Sequence, residues 1–369
     1  MISIIGAGPC GSYTAYLLAR AGFEVSVFEE HASIGEPVHC TGIVTPVLER
    51  LIELKKEFIV NRINTARIYA PNKDFIEIKL KENIVLDRMK FDAYLAEKAK
   101  RAGASFFMNH KFVSLKKRDE NILVRIKDNK KNEVKENKTT VLIGADGPLS
   151  SVAKSAGMFG ERRFFIGLQN VIEEKNNNIV EFYPLKKGIA WVVPENNERV
   201  RAGVAVRENI KNNYAGFVKK RFGEDYKKRV VSQQSGLIPL YNPRIETQKQ
   251  NMFLVGDAAT QVKSTSLGGI IPGLMASKAL AKSIIKYESY ERNWKTALGK
   301  ELGMSLMMRK ILDGFSDKDY NILVKLCNNK KIKKMLGDYE RDFPSRFLLK
   351  MIVAEPRLIY FAKYFHRLF

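Results

Sequence analysis

Apolar residues open the chain as a short run, Ile2 to Ile5, and glycines follow it at Gly6, Gly8 and Gly11. The apolar positions then take helical spacing through Leu17, Leu18 and Ala21, stop at Gly22, and resume as a second run, Val25 to Phe28, closed by Glu29. A period that switches from strand to helix and back, punctuated by glycine, predicts a β-α-β unit. Two later apolar runs also end in glycine and an acid: "VLIGADG", which contains Asp146 and Gly147, and "NMFLVGDAA", which contains Gly256 and Asp257. Residues 180–206 alternate as antiparallel strands do, and residues 62–80 read as strands lent to the same sheet. Residues 116–138 read as a charged, solvated meander. Residues 286–369 read as helical, with no internal repeat. In the closing "EPRLIYFAKYFHRLF", Pro356 suits a first turn. Leu358, Phe361, Ala362, Phe365, Leu368 and Phe369 share one face there, and Arg357, Lys363 and Arg367 lie off it.

The amino-terminal glycines form G-x-G-x-x-G in its structural setting of strand, turn and helix. Gly6 serves the tight turn, Gly8 the approach of backbone to a pyrophosphate, and Gly11 close helix packing. The helix start offers free N–H groups to phosphate, and Glu29 stands where a carboxylate accepts from ribose hydroxyls. The motif predicts a dinucleotide without choosing between NAD and FAD. No second G-x-G-x-x-G follows to hold a nicotinamide.

Composition narrows the setting. With 369 residues the chain is long enough for more than one module. Lys and Arg number 63 against 40 Asp and Glu, a net charge of +23. That balance suits an anionic partner, or else a solvated lysine-rich surface. The three cysteines, Cys10, Cys40 and Cys327, are too few and too scattered for a disulfide framework or an iron–sulfur cluster. No metal-ligand set is read from the sequence. No apolar run approaches the ~18 residues of a spanning helix. The first run belongs to the fold, so no cleavable signal is expected and the expected location is the cytoplasm, with peripheral contact at the membrane face left open.

Three glycine-centred turns in this order resemble the flavoprotein hydroxylase superfamily, and within it the chain is similar to the geranylgeranyl reductase family. That family includes archaeal enzymes that saturate digeranylgeranyl glycerophospholipids. The resemblance covers most of residues 1–285 and fades beyond. It implies an α/β fold: a Rossmann-like FAD-binding domain of the p-hydroxybenzoate hydroxylase type (residues 1–60, 86–160 and 246–285), interleaved with an antiparallel-sheet substrate domain (61–85 and 161–245). A C-terminal helical region (286–369) follows. It implies FAD, with Gly6, Gly8, Cys10 and Gly11 at the phosphates and Glu29 on the adenosine ribose. It also implies Arg88 steadying the cofactor, Val113 behind the adenine, and Asp146 and Gly147 in the second turn. Gly256 and Asp257 then fall at the ribityl and phosphate region, and Gly268, Gly269 and Ile270 beneath the isoalloxazine. The helix after Gly269 would aim its dipole at the edge that becomes anionic on reduction. The family usually places proline and three glycines in that last segment; this chain has Ser264, Leu267 and one Gly-Gly pair, with Pro272 after it.

On the substrate side, Cys40 matches a family cysteine and Thr41 continues past the ring. Cys40 either touches substrate or donates a proton, or packs as a small apolar residue. His39 reads as surface. Trp191 and Pro194 match the family's Tyr-x-Trp-x-Phe-Pro segment, whereas Ile189 and Val193 replace its tyrosine and phenylalanine. Trp191 either lines an apolar channel or belongs to sheet core. The expected activity is reduction of isoprenoid C=C bonds by hydride from flavin N5, with ferredoxin or NAD(P)H as electron donor and no nucleic acid partner. A monooxygenase or halogenase of the same fold, a flavin electron carrier to membrane quinone and a basic RNA-binding flavoprotein are the alternatives. The basic terminal segment either lies in a membrane interface or caps the substrate domain.

Overall fold

The computed structural model describes the backbone of residues 1–368 and the side chains through His366. It divides into two units. The first comprises Met1–Val38, Arg88–Arg163 and Pro239–Leu302; the second comprises His39–Asp87, Phe164–Ile238 and the chain from Gly303 onward.

In the first unit a six-stranded sheet runs in the order Gln248–Lys249, Met252–Leu254, Val141–Gly144, Ile2–Ile5, Val25–Glu29, Ser105–Met108. All neighbours are parallel except the short Gln248–Lys249 edge. Ile2–Ile5 is buried at every position, as an inner strand of a parallel sheet covered on both faces must be. Chain order reverses beside this strand: Val25–Glu29 lies on one side and Val141–Gly144 on the other. In open α/β sheets a crevice forms outside the carboxyl ends of the strands at such a reversal, and ligands bind there. All three glycine turns leave the carboxyl ends of adjacent strands at this point.

Residues 116–138, expected to be a solvated meander, are largely exposed and belong to a three-stranded antiparallel sheet of His110–Arg118, Asn121–Asp128 and Glu133–Thr139. Ile122, Val124 and Ile126 are buried against Leu142, Val152 and Met158. The lysines occupy the solvent face, and the period of two buries the other.

The second unit is built on an eight-stranded sheet, in the order Val230–Pro239, Phe164–Glu173, Arg199–Val206, Gly188–Asn196, Val180–Leu185, Ile59–Tyr69, Phe75–Leu86, Ile43–Val44. Side chains alternate between its faces. Ala190, Val192, Val200, Ala202 and Val204 pack beneath the Ile210–Phe222 helix. Trp191 and Val193 point to the opposite face, with Ile63, Val85 and Val180.

The units differ from the expected boundaries at both ends. Residues 39–60 group with the sheet, because Ile43 and Val44 pair with Val85 and Ile84 and Thr45 donates to Asp342. Residues 286–302 group with the first unit, where buried Trp294 donates to Thr247 Oγ1 at 2.8 Å. The remaining C-terminal helices form no separate body. Val324, Ile332, Phe347 and Met351 cover Ile76 and Ile78 of the sheet. The helix Lys330–Asp338 sits so close that a Cβ on Gly337 would lie 2.2 Å from the Lys79 carbonyl oxygen.

The terminal segment is a 3-10 run, Pro356–Leu368, rather than an α-helix. Phe361 is buried and stacks on Phe315 at 4.6 Å, and Leu358 packs in the same cluster, as a cap would. Phe365 is 48% exposed. Phe369 and the side chains of Arg367 and Leu368 lie outside what the structure describes. No described helix is long and apolar enough to cross a membrane.

Candidate functional site

The site grows from the Ile2–Ile5 strand. Gly6 leaves it at φ +101°. A Cβ on Gly6 would meet the Ala145 carbonyl oxygen at 2.4 Å, and one on Gly11 would meet the Gly6 carbonyl oxygen at 2.0 Å. The first and second turns therefore touch backbone to backbone. Gly8 differs, since a Cβ there has nothing within 4 Å. The helix Pro9–Arg20 begins at Gly8 with no capping side chain and no acid in its first turn. Its leading N–H groups meet no side-chain acceptor among the described residues, the arrangement in which a phosphate can supply one.

The third turn brings a second helix start to the same place. Gly256 stands at φ +69°, and a Cβ on it would lie 2.6 Å from Cys10 Sγ. A Cβ on Gly273 would lie 2.4 Å from the same sulfur. Ser277 Oγ donates to the Cys10 carbonyl at 3.2 Å. Cys10 thus lies between the opening turns of Pro9–Arg20 and Ile270–Lys286. The latter helix starts at Gly269, again without a capping side chain or a first-turn acid. Any side chain at Gly269 would strike Asp257, whose Oδ1 is 2.8 Å from the Cβ position. Gly268 lies one residue before, its carbonyl accepting from Lys263 N–H at 3.2 Å, and Ile270 is the first helical residue.

Electrostatics concentrate on Asp257. Burial pushes its carboxyl up to about 6, with Arg88 pulling the other way. Its carboxylate accepts no side-chain hydrogen bond among the described residues, so its oxygens are available to a hydroxyl. Arg88 is oriented by Asp92 through two bonds of 3.1 and 2.8 Å, and burial raises the Asp92 carboxyl as well. Burial, with Asp257 adding to it, pushes the Cys10 thiol up to about 12, so that it stays neutral. Glu29 accepts from the Ala7 N–H at 2.8 Å and the His31 N–H at 3.0 Å, which ties the end of the second strand to the glycine loop.

The second turn is closed on itself. Asp146 accepts from Ser150 Oγ at 2.5 Å and from Val152 N–H at 3.0 Å, at the start of the short Ser151–Ser155 helix that Ser150 caps. Gly147 follows at φ +76°, open on its Cβ side. Val113 is 43% exposed on the three-stranded sheet, at the bulge between Phe112 and Ser114.

Cys40, Thr41, Trp191 and Pro194 belong to the second unit. Cys40 Sγ accepts the Gly42 N–H at 3.3 Å. Thr41 Oγ1 and Trp191 Nε1 converge on Gln169 Oε1, at 2.7 and 2.9 Å, so the strap 39–42 and Trp191 share one face of the sheet. His39 is exposed, as expected of a surface residue, and its Nδ1 donates to the Ser235 carbonyl. Pro194, three residues beyond Trp191, points to the opposite face, because strand side chains alternate. The two do not line one channel.

Sequence reasoning missed four residues. Gln169 is a buried polar side chain in an apolar strand, which is the signal it offered. Arg201 grips the strap from below, donating to the Thr41 and Leu86 carbonyls at 2.7 and 3.0 Å and to Glu195 at 2.6 Å. Asp92 orients Arg88. Arg162 donates to the carbonyls of Phe159, Pro148 and Ala258 at 2.8, 3.2 and 2.8 Å, stitching the second turn to the third. Arg162→Met should remove all three bonds and leave the carbonyl of the buried Ala258 without this partner, at a cost of about 3 kcal/mol. Urea unfolding of the variant checks this; an unchanged midpoint would show that the clamp carries no stability.

The FAD binding domain family matches residues 1–236. Digeranylgeranylglycerophospholipid reductase 2 of Methanopyrus kandleri is 28% identical, over 98% of each chain. Digeranylgeranylglycerophospholipid reductase of Methanocaldococcus jannaschii is 27% identical over 98% of this chain and 97% of its own. Similarity thus extends well past residue 285, where the resemblance was expected to fade. Among solved structures, a geranylgeranyl bacteriochlorophyll reductase-like protein of Thermoplasma acidophilum superposes with a TM-score of 0.85 at 22% identity, covering 100% and 98% of the two chains. A flavin-dependent brominase superposes with a TM-score of 0.68 at 14% identity, over 95% and 98%.

Proposed function

This chain belongs to the FAD binding domain family, and from that premise we propose that it is an FAD-dependent reductase of isoprenoid C=C bonds in a geranylgeranyl-type membrane lipid. The observation that carries the reading is the convergence of three glycine turns and two uncapped helix starts on Asp257, in a chain alignable end to end with reductases of such lipids. The residues fit FAD. Gly6, Gly8, Gly11 and the Cys10 backbone would cradle the pyrophosphate, with the Arg88 guanidinium opposite it. Glu29 would accept from the adenosine ribose and Asp257 from the ribityl hydroxyls. Gly268, Gly269 and Ile270 would back the ring with N–H groups and the helix dipole.

When bound and reduced, FAD supplies a hydride to one carbon of the double bond. The second carbon needs a proton, and the Cys40 thiol is our assignment for its source. The strap 39–42 is held for this by Thr41, Arg201 and the His39 ring, while Trp191 lines the apolar approach. An external donor, ferredoxin or NAD(P)H, restores the electrons. Peripheral contact with an anionic membrane is supported by the exposed Leu349, Val353, Ile359 and Phe365 on a chain of net charge +23.

The test is anaerobic: dithionite-reduced protein with an unsaturated archaeal-type lipid, read by mass spectrometry. A gain of two hydrogens per double bond is expected. An oxygen-dependent product, with no hydrogenation, would instead assign the chain to monooxygenase or halogenase chemistry. Cys40→Ser should bind FAD normally and turn over about 100-fold more slowly, within the usual range for a lost general acid. Full rate in this variant would remove the cysteine from the chemistry.

A further inference from the structure

The sheet face opposite Trp191 carries a cavity of about 980 Å³ that the reduction reading does not use. Pockets for small molecules span roughly 300–1,000 Å³. Its apolar lining includes Leu185, Val192, Pro194 and Val200, with Tyr183 and Phe217. Lys73, Lys175, Lys186 and Lys220 rim it, from a turn, a loop, a hairpin and the Ile210–Phe222 helix. None of the four has an ion pair among the described residues. The carboxylate of Glu181 does not neutralise them, because Arg221 donates to it at 2.8 and 3.1 Å and Tyr183 O–H at 2.6 Å. Among the described residues one further carboxylate, Asp317, lines the space.

An apolar floor under unpaired ammonium groups selects an anion joined to an apolar body. The aromatic rings narrow the body. Tyr183 stacks on Tyr69 at 4.6 Å and 5°, and Phe217 meets Tyr183 edge-on at 5.2 Å. The stacked faces of Tyr183 and Tyr69 are occupied by one another, so a flat base gains little there, and apart from these rings and Phe217 the apolar lining is aliphatic. We propose that this cavity binds the phosphate-bearing headgroup of an anionic lipid together with the first carbons of its chains. It is a second lipid site, separated by the sheet from the face that carries Trp191 and the strap 39–42. The four ammonium groups hold the phosphate, and Ile179 and Leu185, the partly exposed aliphatic residues of the lining, take the chain.

The inference does not rest on turnover, so its failure and that of the reductase reading are distinguishable. Calorimetric titration of the FAD-loaded full chain with dihexanoylphosphatidylglycerol, below its micelle concentration, should saturate one site. Binding should be at least tenfold tighter than for zwitterionic dihexanoylphosphatidylcholine. The double variant Lys186→Glu/Lys220→Glu should weaken it at least tenfold, and Lys73→Ala/Lys175→Ala should weaken it in the same direction. Lys130→Glu/Lys131→Glu, which makes the same change of charge in the first unit, should leave it unchanged. Flavin absorbance confirms that each variant is folded. Equal weakening by the Lys130/Lys131 variant would reduce the effect to overall charge and overturn the site. Binding of AMP or inorganic phosphate as tight as that of the anionic lipid would overturn the ligand class. No saturable binding of dihexanoylphosphatidylglycerol would overturn both.

Discussion

Gly8→Ala and Gly11→Ala should both purify as colourless protein, for different reasons. At Gly11 the new Cβ would stand 2.0 Å from the Gly6 carbonyl oxygen and 3.2 Å from Ala145 Cβ. The obstacle is backbone, and Gly6 cannot retreat, because its own Cα side is already closed by the Ala145 carbonyl. The helix Pro9–Arg20 must therefore move off the strand, and the fold itself should weaken by roughly 3 kcal/mol or more, as overpacking does. At Gly8 the new Cβ meets nothing within 4 Å. FAD-free Gly8→Ala should accordingly melt within about 2 °C of the parent, since an uncrowded surface change costs at most a few tenths of a kcal/mol. Its affinity for FAD should still fall at least about 100-fold, some 2.8 kcal/mol, because the methyl would occupy the path proposed for the pyrophosphate. Flavin fluorescence titration and thermal melts separate the two cases. A Gly8→Ala protein that stays yellow at parental affinity would sink the placement of the dinucleotide.

Those glycines were legible because their constraint is local: a strand, a positive φ and a helix start follow one another in sequence. The alternation in residues 180–206 was legible for the same reason, and the strands Val180–Leu185, Gly188–Asn196 and Arg199–Val206 follow it. Ile122, Val124 and Ile126 carry the same period of two, but the lysines between them dominated the reading, and only tertiary packing shows which face is buried. Arg162, Gln169 and Arg201 act on partners distant in sequence, the last reaching from position 201 to the carbonyl of Thr41. Nothing local marks such contacts beyond a polar residue in an apolar strand. Asp146 shows the reverse: its motif was visible, yet its carboxylate is engaged by Ser150 and Val152 within its own turn. Terminal-segment periodicity put Leu358 and Phe361 on one apolar face, which the structure turns inward, but the spacing was that of an α-helix and the run is 3-10.

Asp257→Asn should make the FAD-free protein more stable at neutral pH while weakening its hold on FAD. The carboxyl is pushed up to about 6 in the folded chain by burial, against an unfolded value of about 3.9. The folded state therefore binds the proton more tightly than the unfolded state does. Stability of the FAD-free protein is highest below about pH 4 with respect to this group, declines as pH rises to about 6, and is flat above. A difference of about two pH units corresponds to roughly 3 kcal/mol of strain held at pH 8. Asparagine cannot ionise, so FAD-free Asp257→Asn should lose that slope and unfold at higher urea than the parent at pH 8. Asp92 is shifted upward as well, so the comparison between parent and variant, rather than the absolute profile, isolates Asp257. With FAD the order should invert. On the proposed placement the carboxylate that is costly alone would become the acceptor for cofactor hydroxyls, and its charge-assisted bonds would exceed those of an amide oxygen by about 1–2 kcal/mol, or roughly tenfold in affinity. Urea titrations from pH 4 to 8 with and without FAD measure both signs. A variant that keeps the parent's slope between pH 4 and 6 would show that the buried charge lies elsewhere. Undiminished FAD affinity in the same variant would show that Asp257 holds the two helix starts apart without touching the ligand.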